Sequence, residues 1–123
     1  MNKYSYVMEM TQHLHREKLS VSELKRKSIQ YRKTILSIIK NANAGHTGGD
    51  LSCVDILNIL YNHTLNVSPA TFTDPNRDRY IQSKGHSVEA LFTVLADQGF
   101  FPKEKLDTIN RFESHFVGHP TRK

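Results

Sequence analysis

Apolar residues recur at helical spacing in four stretches of this chain, separated by polar, turn-forming residues. In the first, Leu24, Tyr31, Ile35, Ile38, Ile39 and Ala42 share one face, which predicts a helix from about residue 20 to Asn41. Ser20-Val21-Ser22-Glu23 has the spacing of a capping box at its start. Asn43 and Gly45 tolerate the backbone conformations that close a helix. In the second stretch Leu51, Cys53, Val54, Ile56, Leu57, Ile59, Leu60 and Tyr61 leave almost no polar side, so this helix is expected to be covered all round. It is expected to open at Asp50 or Ser52, with Ser52 and Asp55 as a second capping box. The third carries Val88, Leu91, Phe92 and Leu95 and ends near Gly99. The fourth starts at Pro102, a favoured first helical residue, with Leu106, Ile109 and Phe112 as its apolar face.

Between the second and third helices, Asn66, Ser68, Pro69, Asp74, Pro75 and Asn76 mark a turn-rich connection. Arg79-Tyr80-Ile81-Gln82 then reads as a short β-strand running into Ser83-Lys84-Gly85-His86. Residues 1–19 show no firm period and read as a loosely held helix or a flexible arm. Residues 114–123 read as loop. The order of elements points to the α/β class: part of a layered parallel sheet with helices, mostly helical in this stretch. One strand makes no sheet, so its neighbours are expected from further chain or another molecule.

Composition narrows the function classes. The chain has 123 residues, a hydrophobic fraction of 37% and a net charge of +5. Residues 1–40 hold nine Lys/Arg against three Asp/Glu, with Lys25, Arg26, Lys27, Arg32 and Lys33 making most of the excess. A basic nucleic-acid binder acting through residues 16–40 is one reading. No aromatic side chains interleave with the basic ones, and no zinc-finger or helix-turn-helix spacing occurs. The patch is therefore read as the solvated face of a helix. No apolar run approaches the roughly 18 residues of a membrane span, and the start lacks a secretory apolar region. The single cysteine, Cys53, reads as a core residue and fits a cytoplasmic protein.

Candidate chemistry lies in three glycine–histidine pairs at breaks between elements: Gly45-His46, Gly85-His86 and Gly118-His119. The free N–H groups and positive dipole end of the helix behind Gly85 make an anion site, usually for phosphate. His86 adds a donor there, and Gly85 permits close approach to a ligand. His46, in the glycine-rich run Gly45-His46-Thr47-Gly48-Gly49, and His119 would reach a substrate oxygen or a reacting centre. His13, His15, His63 and His115 read as surface or loop residues. The spacing of the cysteine and histidines matches no zinc motif, so no metal ligand is assigned.

Ala-Gly-His-Thr-Gly-Gly-Asp-Leu-Ser over 44–52, Asp-Arg-Tyr-Ile-Gln-Ser-Lys-Gly-His over 78–86 and Gly-His-Pro over 118–120 resemble the N-terminal segment of transketolases, most closely the split form made of two polypeptides. The resemblance runs from about Ser28 to the end, which divides the chain into an arm over 1–27 and an incomplete cofactor-binding domain over 28–123. It implies a thiamine-diphosphate enzyme that moves a two-carbon ketol unit between sugar phosphates. It implies that His46 and His119 serve substrate and the reacting centre, and that His86, with Ser83 and Gly85, lies by the cofactor diphosphate. It also implies a partner: a transketolase C-terminal section, or a second copy. Two departures stand out. Threonine follows His46 where many relatives have proline. The family's Gly-Asp-Gly magnesium motif does not occur in the chain, so the metal ligands are absent from it. The segment is thus expected to be inactive alone, the alternative being a non-catalytic remnant or interaction module that pairs with a transketolase-like partner.

Overall fold

The computed structural model describes residues 17–112 and 114–119. The arm expected over 1–27 therefore lies outside the described residues as far as residue 16, as do residues 120–123 of the tail.

Helix α1, Val21–Ala42, forms where the local signals place it. The Glu23 amide donates to Ser20 Oγ at 3.4 Å and the Ser20 amide donates to Glu23 Oε2 at 2.8 Å, closing the capping box. Asn43 ends the helix in the left-handed conformation, φ 50°, with its N–H on the Lys40 carbonyl. Helix α2, Thr47–Ile59, begins earlier than expected and runs on into a π-helical turn, Leu60–Thr64. Ser52 is no cap: it sits inside α2 and donates to the Gly49 carbonyl at 2.8 Å. Asp55 instead takes a two-pronged bond from Arg32 of α1 at 2.7 and 2.8 Å. A 3-10 turn, Gly85–Ser87, leads directly into helix α3, Val88–Asp97, and a second 3-10 segment, Lys103–Thr108, follows Pro102.

The α/β class does not hold: every element among the described residues is helical, and there is no strand and no layered sheet. Residues 79–82 have strand-like composition, but a strand is stabilised by backbone pairing with a neighbour, and no described segment offers an edge. Gln82 ties this run to the turn instead, donating through Nε2 to the Ser87 carbonyl at 2.8 Å and to Ser87 Oγ at 2.9 Å.

Helices α1, α2 and α3 pack around Tyr31, Ile35, Val54, Leu57, Tyr61, Ala90, Leu91 and Val94. A second cluster, Ile38, Ala96, Leu106 and Ile109, holds the C-terminal segment, with Phe92, Phe101 and Phe116 against it. Helix α2 is not covered all round. Val54 and Leu57 are fully buried, whereas Ile56 is 60% and Ile59 47% exposed. Phe112 is 94% exposed and takes no part in the face expected of it.

A buried polar network joins the helices. Tyr31 donates to Asp97 at 2.7 Å and receives the Asn62 amide at 2.9 Å, and Asn62 Oδ1 accepts from Gln98 at 2.8 Å. Lys27 and Lys103 pair with the same Asp97 carboxylate. Burial pushes that carboxyl upward, but the Lys27, Tyr31 and Lys103 donors outweigh it and hold Asp97 below the usual aspartate range. Lys27 and Arg32 of the basic patch are thus occupied by carboxylates of the chain itself.

Candidate functional site

Three glycines let the loops meet. Gly45 has φ +144°, and a Cβ there would lie 2.7 Å from Ile39 Cγ1. Gly49, in the first turn of α2, runs so close to the 85–87 turn that a Cβ would fall 1.9 Å from the His86 carbonyl oxygen. At Gly85 a Cβ would come within 2.6 Å of the His119 ring. Lys84 fastens the same junction, donating to the Gly49 carbonyl at 3.1 Å and to Ser52 Oγ at 2.6 Å. The tail is hooked rather than loose. The Asn110 amide donates to the Phe116 carbonyl at 3.0 Å, and the Phe116 ring packs on Phe92 and Phe101 at centroid distances of 5.0 and 4.7 Å.

These contacts bring His46, His86 and His119 together. Their ring centroids lie 4.6 Å apart for His46–His86, 4.9 Å for His86–His119 and 5.6 Å for His46–His119. One ring nitrogen from each falls within 4.8 Å of the other two. His86 and His119 face solvent; His46 is half-buried, and its Nδ1 is sealed from water with no hydrogen-bond partner among the described residues. Gly85 belongs to this junction. Ser83 is exposed, and Ser87 rather than Ser83 shapes the turn, donating from Oγ to the Lys84 carbonyl at 2.9 Å.

The start of α3 is not an open anion site. Asp50 of α2 accepts the Ala90 amide at 2.8 Å, so a carboxylate of the chain already occupies part of it. Asp50 and Glu89 are both fully buried, and Asp50 Oδ2 and both Glu89 oxygens lack hydrogen-bond partners among the described residues. Burial above all pushes the Asp50 carboxyl up to about 7; the neighbouring Glu89 adds to the rise, and the Ala90 amide and Lys84 oppose it. Neither acid stands out in the sequence as a site residue, although Asp50 sits within the glycine-rich run and Glu89 on an otherwise apolar helix.

Imidazole nitrogens arranged in this way can grip phosphate and hydroxyl oxygens or pass protons. They do not make a magnesium–diphosphate centre. That ion requires hard oxygen ligands, whereas the clustered groups among the described residues are imidazoles, and Asp50 and Glu89 are sealed in the interior.

The family described as transketolase, thiamine diphosphate binding domain, matches residues 24–123. The chain belongs to the transketolase family. It is 43% identical over 103 residues to an apulose-4-phosphate transketolase subunit of Phocaeicola vulgatus, covering 84% of this chain and 37% of that protein. Identity to the protein of the same name in Actinobacillus succinogenes is 42% over 105 residues, 85% of this chain and 38% of that one. It is 44% identical over 80 residues to 6-deoxy-6-sulfo-D-fructose transketolase subunit SqwG of a Clostridium species, 65% of this chain and 29% of that protein. The chain thus spans under two-fifths of the length of these transketolase relatives. Among the described residues no helix is long and apolar enough to cross a membrane.

Proposed function

We propose that this chain supplies the histidine-bearing part of a split, thiamine-diphosphate-dependent transketolase site and does not catalyse alone. In the assembled enzyme a two-carbon ketol unit passes from a ketose phosphate to an aldose phosphate. His46 and His119 hold substrate oxygens and exchange protons with them, while His86, with Gly85 and Ser83 beside it, faces the cofactor diphosphate. The magnesium ligands are absent from this chain, and its partner is a transketolase C-terminal section or a second copy of a transketolase chain, in the cytoplasm. The observation that carries this reading is the convergence of the three imidazoles on one another. The names of the similar proteins support it, since two are named for apulose 4-phosphate and one for 6-deoxy-6-sulfo-D-fructose. A sugar bearing an anionic group is therefore the substrate class.

Mixing the chain with a transketolase C-terminal section, thiamine diphosphate and magnesium tests the proposal. Ketol transfer should appear only in the mixture and should fall by about a hundredfold or more with His46→Ala or His119→Ala. Full activity of both variants would overturn the assignment of these histidines. The competing reading is a non-catalytic interaction module, favoured by the bare Ile56 and Ile59 face of α2. That module predicts partner binding with no heat on adding thiamine diphosphate and magnesium.

A further inference from the structure

We infer that His46, His86 and His119 form a site for one borderline divalent transition ion of the zinc class, a property separate from ketol transfer and not dependent on it. One ring nitrogen from each histidine already lies within 4.8 Å of the other two. Tetrahedral ligation at about 2.0–2.1 Å places ligand nitrogens roughly 3.4 Å apart, so an inward shift of about an ångström completes the set. His86 and His119 are exposed, so their rings are free to make that rotation, while His46 is half-buried.

The donor chemistry selects the ion. Three neutral nitrogen ligands suit zinc, cobalt, nickel and copper and are a poor set for magnesium or calcium. Among the described residues the cluster consists of imidazoles alone, and Asp50 and Glu89 are fully buried. Lys84, the nearby cation, is turned onto the Gly49 carbonyl and Ser52 Oγ. His46 Nδ1 is sealed from water without a hydrogen-bond partner among the described residues, a state in which an imidazole nitrogen is ordinarily satisfied by some partner. Three protein ligands leave a fourth position for water or an oxygen of a small anion. The absence of a linear zinc motif is no obstacle. The three ligands come from three loops, and the close backbone approaches at Gly49 and Gly85 bring those loops together. An ion held here would occupy the imidazoles that the ketol-transfer reading assigns to substrate and cofactor, and would compete with both.

Titrating the purified chain with zinc chloride in a calorimeter, with magnesium chloride in parallel, tests the site. Cobalt chloride supplies a visible absorption band diagnostic of tetrahedral ligation. Expected are one zinc per chain, a tetrahedral cobalt spectrum, no heat from magnesium, and affinity weakened more than about a hundredfold by His119→Ala and by His86→Gln. Circular dichroism of each variant establishes that the helices persist. His115→Ala and His63→Ala should leave zinc binding unchanged. Absence of zinc binding, or binding that survives both cluster variants, would overturn the inference. Ketol transfer by the assembled enzyme is a separate readout: activity without zinc binding removes this inference and leaves the functional proposal standing, and the converse holds.

Discussion

The carboxylate of Asp50, on α2, accepts the amide of Ala90, on α3, at 2.8 Å. One helix thereby caps another across 40 residues of sequence. The acid occupies one N–H group that an open phosphate site would have used, and it does so in the interior, where Glu89 is a second buried acid. The junction is linked to the histidine cluster through the first turn of α2, where the Asp50 amide donates to the His46 carbonyl at 3.0 Å.

Stability should fall as pH rises through the range in which the buried Asp50 carboxyl ionises. The Asp50 carboxyl is raised from 3.8 to about 7, so between those values the folded state binds more protons than the unfolded one and the free energy of unfolding declines. Asp50→Asn keeps the acceptor for Ala90 and removes the charge. It should flatten that limb and be more stable than the native chain at pH 8, on the order of 2 kcal/mol. Urea unfolding of both proteins at pH 5 and pH 8 checks this; parallel slopes with pH would refute it.

An opposite, acid-side loss is expected from Asp55 and Asp97. Both are held below the ordinary aspartate value, Asp55 at about 2 chiefly by Arg32, so their stabilisation is present above pH ~4 and disappears below it. Arg32 and Asp55 are largely exposed and contribute little, so Asp97 dominates. Asp97→Ala strands Lys27 and the Tyr31 hydroxyl and should cost about 3 kcal/mol, whereas Tyr31→Phe should cost about 1–2 kcal/mol. Thermal unfolding measured from pH 3 to pH 7 would show the acid limb weakened in Asp97→Ala.

Two adjacent glycines in α2 should behave oppositely. A Cβ at Gly49 would collide with the His86 backbone oxygen, so Gly49→Ala must push the 85–87 turn away and should cost more than about 2 kcal/mol. Nothing lies within 4 Å of a Cβ at Gly48, which is helical and exposed. Gly48→Ala should therefore stabilise by about 0.5–1 kcal/mol. Equal effects from the two substitutions would refute a role for the close approach of Gly49 to His86.

The uncovered side of α2 should make the isolated chain self-associate. Ile56 and Ile59 expose apolar surface on the helix that carries the core residues Val54 and Leu57. The double substitution Ile56→Lys with Ile59→Lys should raise the monomer fraction in sedimentation experiments without loss of helix. A native chain that stays monomeric and unfolds in one sharp step would end this expectation.

Where a structural signal is local, the sequence alone was sufficient. The Ser20 and Glu23 capping box, the apolar stripe of α1 and the left-handed Asn43 each depend on residues within a turn of one another. The three histidine pairs can likewise be picked out by eye. What needed the third dimension was every relationship between distant segments. Residues 79–82 lack a strand partner among the described residues, α2 begins several residues before its apparent cap, and Ile56 and Ile59 lie bare because nothing described packs there. The burial of Asp50 against Glu89 and the meeting of His46, His86 and His119 follow from the packing of α2 on α3 and the hooked tail. Short-range rules carry no information about such packing, because its free energy comes from contacts between residues far apart in the chain.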